Sequence, residues 1–227
     1  MKIAMKLLSA CTLFWLAGSA YADGMALEKV AVSGDLAALE RGADTVIDTC
    51  TVCHSLKYIS FRDLAALGIA NDKVQAWRGD SPMGSAIASK MTVDSALLAF
   101  GAVPPDLSLI ANAREGGANY VYSFLLGFYA TPDGIISNHY FPGTKMPDTL
   151  AIAGVTDAAQ RALLEQKARD VTSFLVWAAD PHAQERQTLG YYVIGYLLLL
   201  TTLLYLLKRR IWARLNPIQQ NQYKEEI

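Results

Sequence analysis

The chain has 227 residues, of which 52% are hydrophobic and 18% are charged, and its mean hydropathy is +0.21. This composition excludes a disordered or low-complexity protein, which would be poor in apolar residues. It also disfavours a nucleic-acid-binding protein, because 20 Lys and Arg nearly cancel 21 Asp and Glu. An ordinary soluble domain carries more charge, so we expect part of the hydrophobicity to lie in segments that meet lipid.

The first segment of the chain has the organisation of a secretory signal peptide. Two lysines precede a mostly apolar run over 7–17, and residues 20–22 form an A-x-A cleavage site. A retained membrane anchor is the alternative, but the run is short for a span. We therefore predict a signal peptide over residues 1–22 and a mature chain that begins near Asp23, outside the cytoplasm.

A second apolar segment lies near the other end of the chain. Leu189 to Leu207 comprises 19 residues without a charge, which as a helix is roughly 28 Å long and matches a bilayer core. A buried core helix is the alternative, but the run ends abruptly in a basic flank. We predict a transmembrane helix over 188–207 and, by the positive-inside rule, a cytoplasmic tail over 208–227.

The segment between these two runs, residues 23–187, is predicted to be a mainly α-helical domain. It holds 13 Lys and Arg against 19 Asp and Glu, a net charge of −6. Such charge could attract a basic partner, or it could merely keep the domain soluble. Apolar residues recur at helical spacing over 35–47 and from Thr156 to Ala179.

One short motif carries the strongest chemical information in this domain, namely Cys50-x-x-Cys53-His54. Two cysteines outside the cytoplasm could form a disulfide, or they could be a thioredoxin-like redox pair. The adjacent His54 favours c-type haem instead, with a thioether from each cysteine and the imidazole on the iron. A zinc site is disfavoured, since no second Cys/His pair exists to complete four ligands.

A haem used for electron transfer normally has a second axial ligand, commonly Met or His. Met146 is the preferred candidate, because it lies in a loop between Pro142 and Pro147 that could hold a thioether over the ring. The other candidates in the mature chain are Met25, Met83, Met91, His139 and His182.

The order of these and further motifs resembles the cytochrome c1 family over most of the mature chain. The resemblance begins in the haem-attachment region over 41–62, and its most specific marker is Pro-Pro-Asp-Leu-Ser at 104–108. The other matching segments are 113–117, 120–122, Asn138 with 140–143, 174–175, 177–181 and Arg186.

The resemblance implies a class I cytochrome c-like haem domain with loop insertions, plus one C-terminal transmembrane helix. In such a fold the C-terminal helix of the haem domain packs against the N-terminal one, and residues 63–103 form an insertion beside the haem. It also implies that Met146 is the distal ligand, in a loop shorter than that of mitochondrial relatives. Its implied cofactor contacts are Pro105, whose segment would accept the His54 ring N–H, and Arg62 and Arg114, which would pair with the haem propionates.

The function implied by the resemblance is one-electron transfer in a respiratory cytochrome bc1 complex. The donor would be the Rieske iron–sulfur protein and the acceptor a cytochrome c, with cytochrome b beside the anchor in a dimeric complex. The expected location is a bacterial inner membrane with the haem domain in the periplasm. The alternatives are an anchored monohaem cytochrome that serves another oxidase or dehydrogenase, and a haem sensor or catalytic protein with an open iron site.

Overall fold

The structure is a computed structural model that describes residues 25–225, with side chains as far as Arg214. The predicted signal peptide over 1–22 therefore lies outside the described residues. The described chain divides into two compact units, one that ends at Ala179 and one that begins at Asp180.

Helices dominate both units, as the sequence predicts. The helices are α1 (Leu36–Asp48), α2 (Phe61–Leu67), α3 (Asn71–Arg78), α4 (Val93–Phe100), α5 (Ile110–Ala113), α6 (Ala118–Leu126), α7 (Ala158–Ala179) and α8 (Ala183–Glu225). The strands are β1 (Leu56–Ser60), β2 (Ala86–Ile87), β3 (Phe128–Ala130) and β4 (Ile136–Asn138). They form two antiparallel pairs, β1 with β2 and β3 with β4.

The packing of α1 against α7 forms the centre of the first unit and confirms the predicted contact between these two helices. The backbones approach closely at Gly42, where an added Cβ would lie 2.2 Å from the carbonyl oxygen of Asp170. Beside this crossing, Arg41 Nε donates to the carboxylate of Asp170 at 2.7 Å. Val46 and Phe174, both fully buried, extend the contact into the core.

Capping side chains define where these two helices begin. Asp35 accepts from the Ala38 N–H and starts α1, and Asp157 accepts from the Gln160 N–H at 2.7 Å at the start of α7. The first regular residue of α7 is Ala158 and Asp157 caps it, so the helix begins directly after the Thr156-Asp157 pair that the sequence predicts as its cap.

The predicted insertion over 63–103 consists mainly of short helices, α2 to α4, rather than of loops alone. Leu64 and Val74 are fully buried and join it to the core. Lys73 Nζ adds a polar link to α1, at 2.8 Å from both Glu40 Oε1 and Asp44 Oδ2.

The second unit contains α8. Among residues 25–225, this is the one helix long and apolar enough to cross a membrane, over Ala183–Arg214, and its side chains there are not buried. The predicted span over 188–207 lies within it. A single apolar C-terminal helix with exposed side chains is consistent with a single-pass membrane anchor.

Candidate haem-binding site

The predicted site residues other than Arg62 meet at a cavity of about 490 Å³ in the first unit, a size typical of small-molecule and cofactor sites. Two parts of the chain carry the candidate iron ligands. We call residues 49–55 with 104–108 the proximal segment, and residues 141–149 the distal loop. The remaining walls are mostly apolar and come from Phe100, Ala102, Val103, Ile110, Tyr120, Val121, Phe124, Leu125, Val171 and Leu175.

The Cys-x-x-Cys-His motif forms a compact turn directly after α1. Cys50–Val52 is a single 3₁₀ turn, and the backbone N–H groups of Cys53 and His54 both donate to the Cys50 carbonyl, at 3.1 and 2.8 Å. The Thr51 hydroxyl donates to the last turn of α1 at 2.6 Å and is buried. The turn therefore brings both sulfur atoms and the imidazole to the same cavity wall.

The His54 ring has a fixed partner on the other half of the proximal segment. Its Nδ1 lies 2.7 Å from the carbonyl oxygen of Pro105, which is the contact that the resemblance implies. A carbonyl oxygen only accepts, so Nδ1 carries the proton and Nε2 keeps its lone pair. A neutral ring with a free Nε2 is the form in which histidine ligates a metal.

Side chains of the 104–108 segment hold Pro105 in this place. The carboxylate of Asp106 accepts from the backbone N–H groups of Lys57 and Ser108, each at 2.9 Å. The fully buried Ser108 hydroxyl in turn accepts from the Tyr58 N–H at 3.0 Å. The Pro-Pro-Asp-Leu-Ser sequence thus attaches itself to β1 and presents the carbonyl that orients His54. Sequence reasoning found this marker by resemblance alone and did not find the role of Asp106 and Ser108.

The protonation of the motif residues follows from their surroundings. Burial lowers the pKa of His54, while the hydrogen bond to Pro105 and the charge of Asp106 oppose that change. Burial raises the pKa of the Cys50 thiol to about 11, with a further contribution from Cys53. Such a thiol is protonated at neutral pH. The two cysteines are not joined by a disulfide.

Met146 is the only methionine of the described chain that lines the cavity. The other candidate ligands lie elsewhere. Met25 is exposed, Met83 packs against the core, Met91 follows β2, His139 stacks on Tyr129 at 4.0 Å between ring centroids, and His182 is exposed beside Glu185. The role of Met146 as an iron ligand stays a prediction, and its place in the cavity supports it.

Two cations line the cavity, Arg114 and Lys145, and no carboxylate stands among the lining residues that the structure describes. Lys145 was not found by sequence reasoning, although its position beside Met146 could have indicated it. Arg62 lies outside the lining: its backbone N–H donates to the Met83 carbonyl and its guanidinium lies beside Gly84. The pairing of Arg62 with a propionate stays a prediction.

The residues present fit a haem. The cavity combines two thiols, an oriented imidazole and a thioether with apolar walls, as a largely apolar macrocycle with a central iron requires. The two cations suit the negative propionates of the ring edge.

Comparison with known proteins identifies the family of the chain. The sequence model of the "Cytochrome C1 family" matches residues 26–89 and 88–215. The chain belongs to the cytochrome c1 family. The predicted mainly α, class I cytochrome c-like fold is thereby confirmed.

Three relatives illustrate the range of this family. The chain is 36% identical to "Cytochrome c1" of Allochromatium vinosum, over 78% of this chain and 84% of that protein. It is 32% identical to "Cytochrome c1, heme protein, mitochondrial" of Schizosaccharomyces pombe, over 82% and 69%. It is also 33% identical to "Cytochrome b/c1" of Bradyrhizobium diazoefficiens, over 79% of this chain but only 33% of that longer protein.

Proposed function

We propose that this chain is the haem-carrying electron-transfer subunit of a respiratory cytochrome bc1 complex. One observation carries the proposal: in a member of the cytochrome c1 family, Cys50, Cys53, His54 and Met146 line a single apolar cavity. This set provides two attachment points and two axial ligands for one haem c.

Each of these residues has a defined task in the proposal. Cys50 and Cys53 form the thioethers, and His54, oriented by Pro105, is the proximal ligand. Met146 is the distal ligand, and its soft thioether favours ferrous iron and so raises the reduction potential. When bound, the haem supplies reversible one-electron chemistry between ferric and ferrous iron.

The remaining cavity residues control the surroundings of the ring. Arg114 and Lys145 are the cations placed to hold the propionates, and Arg62 is a further candidate outside the cavity lining. The apolar walls would surround a bound haem with few polar groups, an environment suited to outer-sphere electron transfer. No side chain is required to act as an acid, a base or a nucleophile.

The proposal also assigns a topology to the chain. The signal peptide over 1–22 is removed, residues 23–187 lie in the periplasm, 188–207 cross the bacterial inner membrane and 208–227 are cytoplasmic. The exposed apolar stretch of α8 and the basic residues that follow this stretch within the helix support this orientation. The anchor places the haem domain at the membrane surface, where a membrane complex delivers its electrons.

The proposed partners are the Rieske iron–sulfur protein as donor, a cytochrome c as acceptor and cytochrome b beside the anchor, in a dimeric complex. A relative named "Cytochrome b/c1" supports the association with cytochrome b, since that name describes the two parts in one protein. The acidic balance of the haem domain suits a basic acceptor.

Purification of the full chain from membranes in mild detergent, through a tag on its C-terminal tail, tests the proposal. We expect cytochrome b and the Rieske protein to co-purify and to co-migrate in a native gel, with a low-spin haem c that does not bind carbon monoxide. Co-migration with a different oxidase or dehydrogenase would contradict the complex assignment. A ferrous haem that binds carbon monoxide readily would contradict the six-coordinate site.

A further inference from the structure

Asn138, at the end of β4, is a fully buried polar residue that lies outside the cavity and has no task in the proposed chemistry. Its carboxamide makes three hydrogen bonds. Nδ2 donates to the Phe124 carbonyl of α6 at 2.8 Å, and Oδ1 accepts from the N–H groups of Tyr140 and Phe141 at 2.9 and 3.3 Å. The side chain therefore joins a helix of the cavity wall to the beginning of the distal loop.

Two further hydrogen bonds continue from Phe141 to the candidate ligand. The Thr144 N–H donates to the Phe141 carbonyl at 3.0 Å, and the Met146 N–H donates to the Thr144 hydroxyl at 3.2 Å. An unbroken series of contacts thus runs from α6 through Asn138 to the backbone of Met146.

We propose that Asn138 is a positioning residue for Met146, because its carboxamide anchors the hydrogen-bonded chain that holds the distal loop at the cavity. This inference rests on the proposed function, in which Met146 is the distal ligand.

The beginning of the distal loop needs such an anchor because residues 141–145 contribute no side chain to the core, although Met146 itself packs against it. Phe141 is 52% exposed, and Pro142, Gly143, Lys145 and Pro147 are exposed as well. A loop with this little buried surface opens at low free-energy cost unless hydrogen bonds restrain it.

The end of α6 is shaped to let the anchor approach. Gly127 follows the helix, and an added Cβ there would lie 2.9 Å from the Ser123 carbonyl and 3.0 Å from Asn138 Oδ1. The Gly127 carbonyl also accepts from the His139 N–H at 3.0 Å. The turn at Asn138 therefore packs directly against the end of α6, and no residue larger than glycine fits at position 127.

Loss of the carboxamide would leave the N–H groups of Tyr140 and Phe141 without their partner, while the Phe124 carbonyl would keep its bond from the Gly127 N–H at 3.3 Å. An unsatisfied buried donor or acceptor costs enough to shift a local equilibrium by about tenfold or more. We expect the affected equilibrium to be the one between bound and released Met146, since the freed N–H groups of Tyr140 and Phe141 lie directly before and at the beginning of the loop that carries it.

The test measures the ferric methionine–iron charge-transfer band of the purified holoprotein as the pH is raised, together with the reduction potential. In Asn138→Ala we expect the equilibrium constant for loss of the band to rise about tenfold and the potential to fall. Thr144→Val removes only the hydrogen bond from the Met146 N–H to the Thr144 hydroxyl. In this variant we expect the equilibrium constant for loss of the band to rise about threefold. Asn138→Asp keeps the acceptor but loses the donor, and we expect an intermediate effect.

Asn119→Ala is the matched control. Asn119 lies on the same helix, and its Oδ1 accepts one backbone hydrogen bond, from the Val30 N–H at 3.0 Å, away from the distal loop. We expect this variant to lose thermal stability. The equilibrium constant for loss of the band should stay within about twofold of that of the unmodified chain, and the reduction potential should not change.

The proposal is overturned if Asn138→Ala destabilises the fold as Asn119→Ala does but leaves the band equilibrium within twofold. If Asn138→Ala does not accumulate, the same measurement is made on Asn138→Asp and Thr144→Val. A band equilibrium within about twofold in both of these variants overturns the proposal. An unmodified chain without the band would overturn the assignment of Met146, and this inference with it. A normal band in the unmodified chain and an unchanged one in the Asn138 variants overturns this inference alone.

Discussion

The two sides of the cavity are held by different means. The proximal segment is tied to α1 by the buried Thr51 hydroxyl and to β1 by the side chains of Asp106 and the buried Ser108. The distal loop is held at its beginning by the Asn138 carboxamide, in its middle by the packing of Met146 against the core, and near its end by the Asp148 carboxylate, which accepts from the Ala153 N–H at 2.8 Å. A change on the proximal side should therefore affect the whole fold or cofactor retention, whereas a change on the distal side should affect the iron ligation first.

The largest effect is expected from removal of both attachment points. In Cys50→Ala/Cys53→Ala no thioether can form, so we predict complete loss of covalent haem and poor accumulation of a chain with an unfilled apolar cavity. Haem staining of a denaturing gel, with an immunoblot for the polypeptide, measures both. The single variants serve as graded controls, because each retains one thioether. Persistent staining of the double variant would disprove covalent attachment through this motif.

Substitution of the distal ligand should leave the fold intact and change the iron. In Met146→Leu we expect loss of the ferric methionine–iron band and a reduction potential lower by at least about 60 mV, a tenfold change for a one-electron couple. Redox titration and the near-infrared spectrum provide the readouts. Met83→Leu makes the same substitution at a partly buried methionine outside the cavity and should change neither. Survival of the band in Met146→Leu would show that another residue is the ligand.

The packing of α1 against α7 fixes the helix that directly precedes the Cys-x-x-Cys-His turn. Gly42→Ala would force a Cβ to 2.2 Å from the Asp170 carbonyl oxygen, and the helices must separate. We expect a loss of about 3 kcal/mol in the free energy of unfolding. Denaturant titration of the holoprotein in detergent measures it. Gly34→Ala is the control, since nothing lies within 4 Å of its added Cβ, and equal effects in the two variants would refute the close approach.

The smallest of these effects is expected at Asp106, which anchors Pro105 to β1. Asp106→Ala removes two hydrogen bonds to backbone N–H groups, so we expect a loss of about 1–2 kcal/mol in stability with retention of the His54 ligand. Thermal unfolding and the visible spectrum measure the two outcomes. Asp133→Ala, at an exposed turn, is the matched control. A loss of haem in Asp106→Ala that exceeds that of Met146→Leu would contradict this order of effects.

Local patterns in the chain were sufficient for a large part of this description. The spacing of Cys50, Cys53 and His54 predicts the attachment site, and helical periodicity predicts α1 and α7 close to their observed bounds. The uncharged run over 189–207 likewise predicts the apolar part of α8. These features depend on neighbours within one or two turns of helix, which sequence spacing specifies directly.

Apart from the packing of α1 on α7 and the contact of His54 with Pro105, which the family resemblance implies, the contacts between distant segments were decided by the tertiary structure. Sequence spacing did not select Met146 among six candidate ligands with certainty, and it indicated neither Lys145 at the cavity nor the bonds of Asn138. The closeness of Gly42 to Asp170 is equally invisible, because more than a hundred residues separate them in the chain. Only the fold brings such groups together, since their hydrogen bonds and packing depend on how whole helices and loops are placed and not on local propensity.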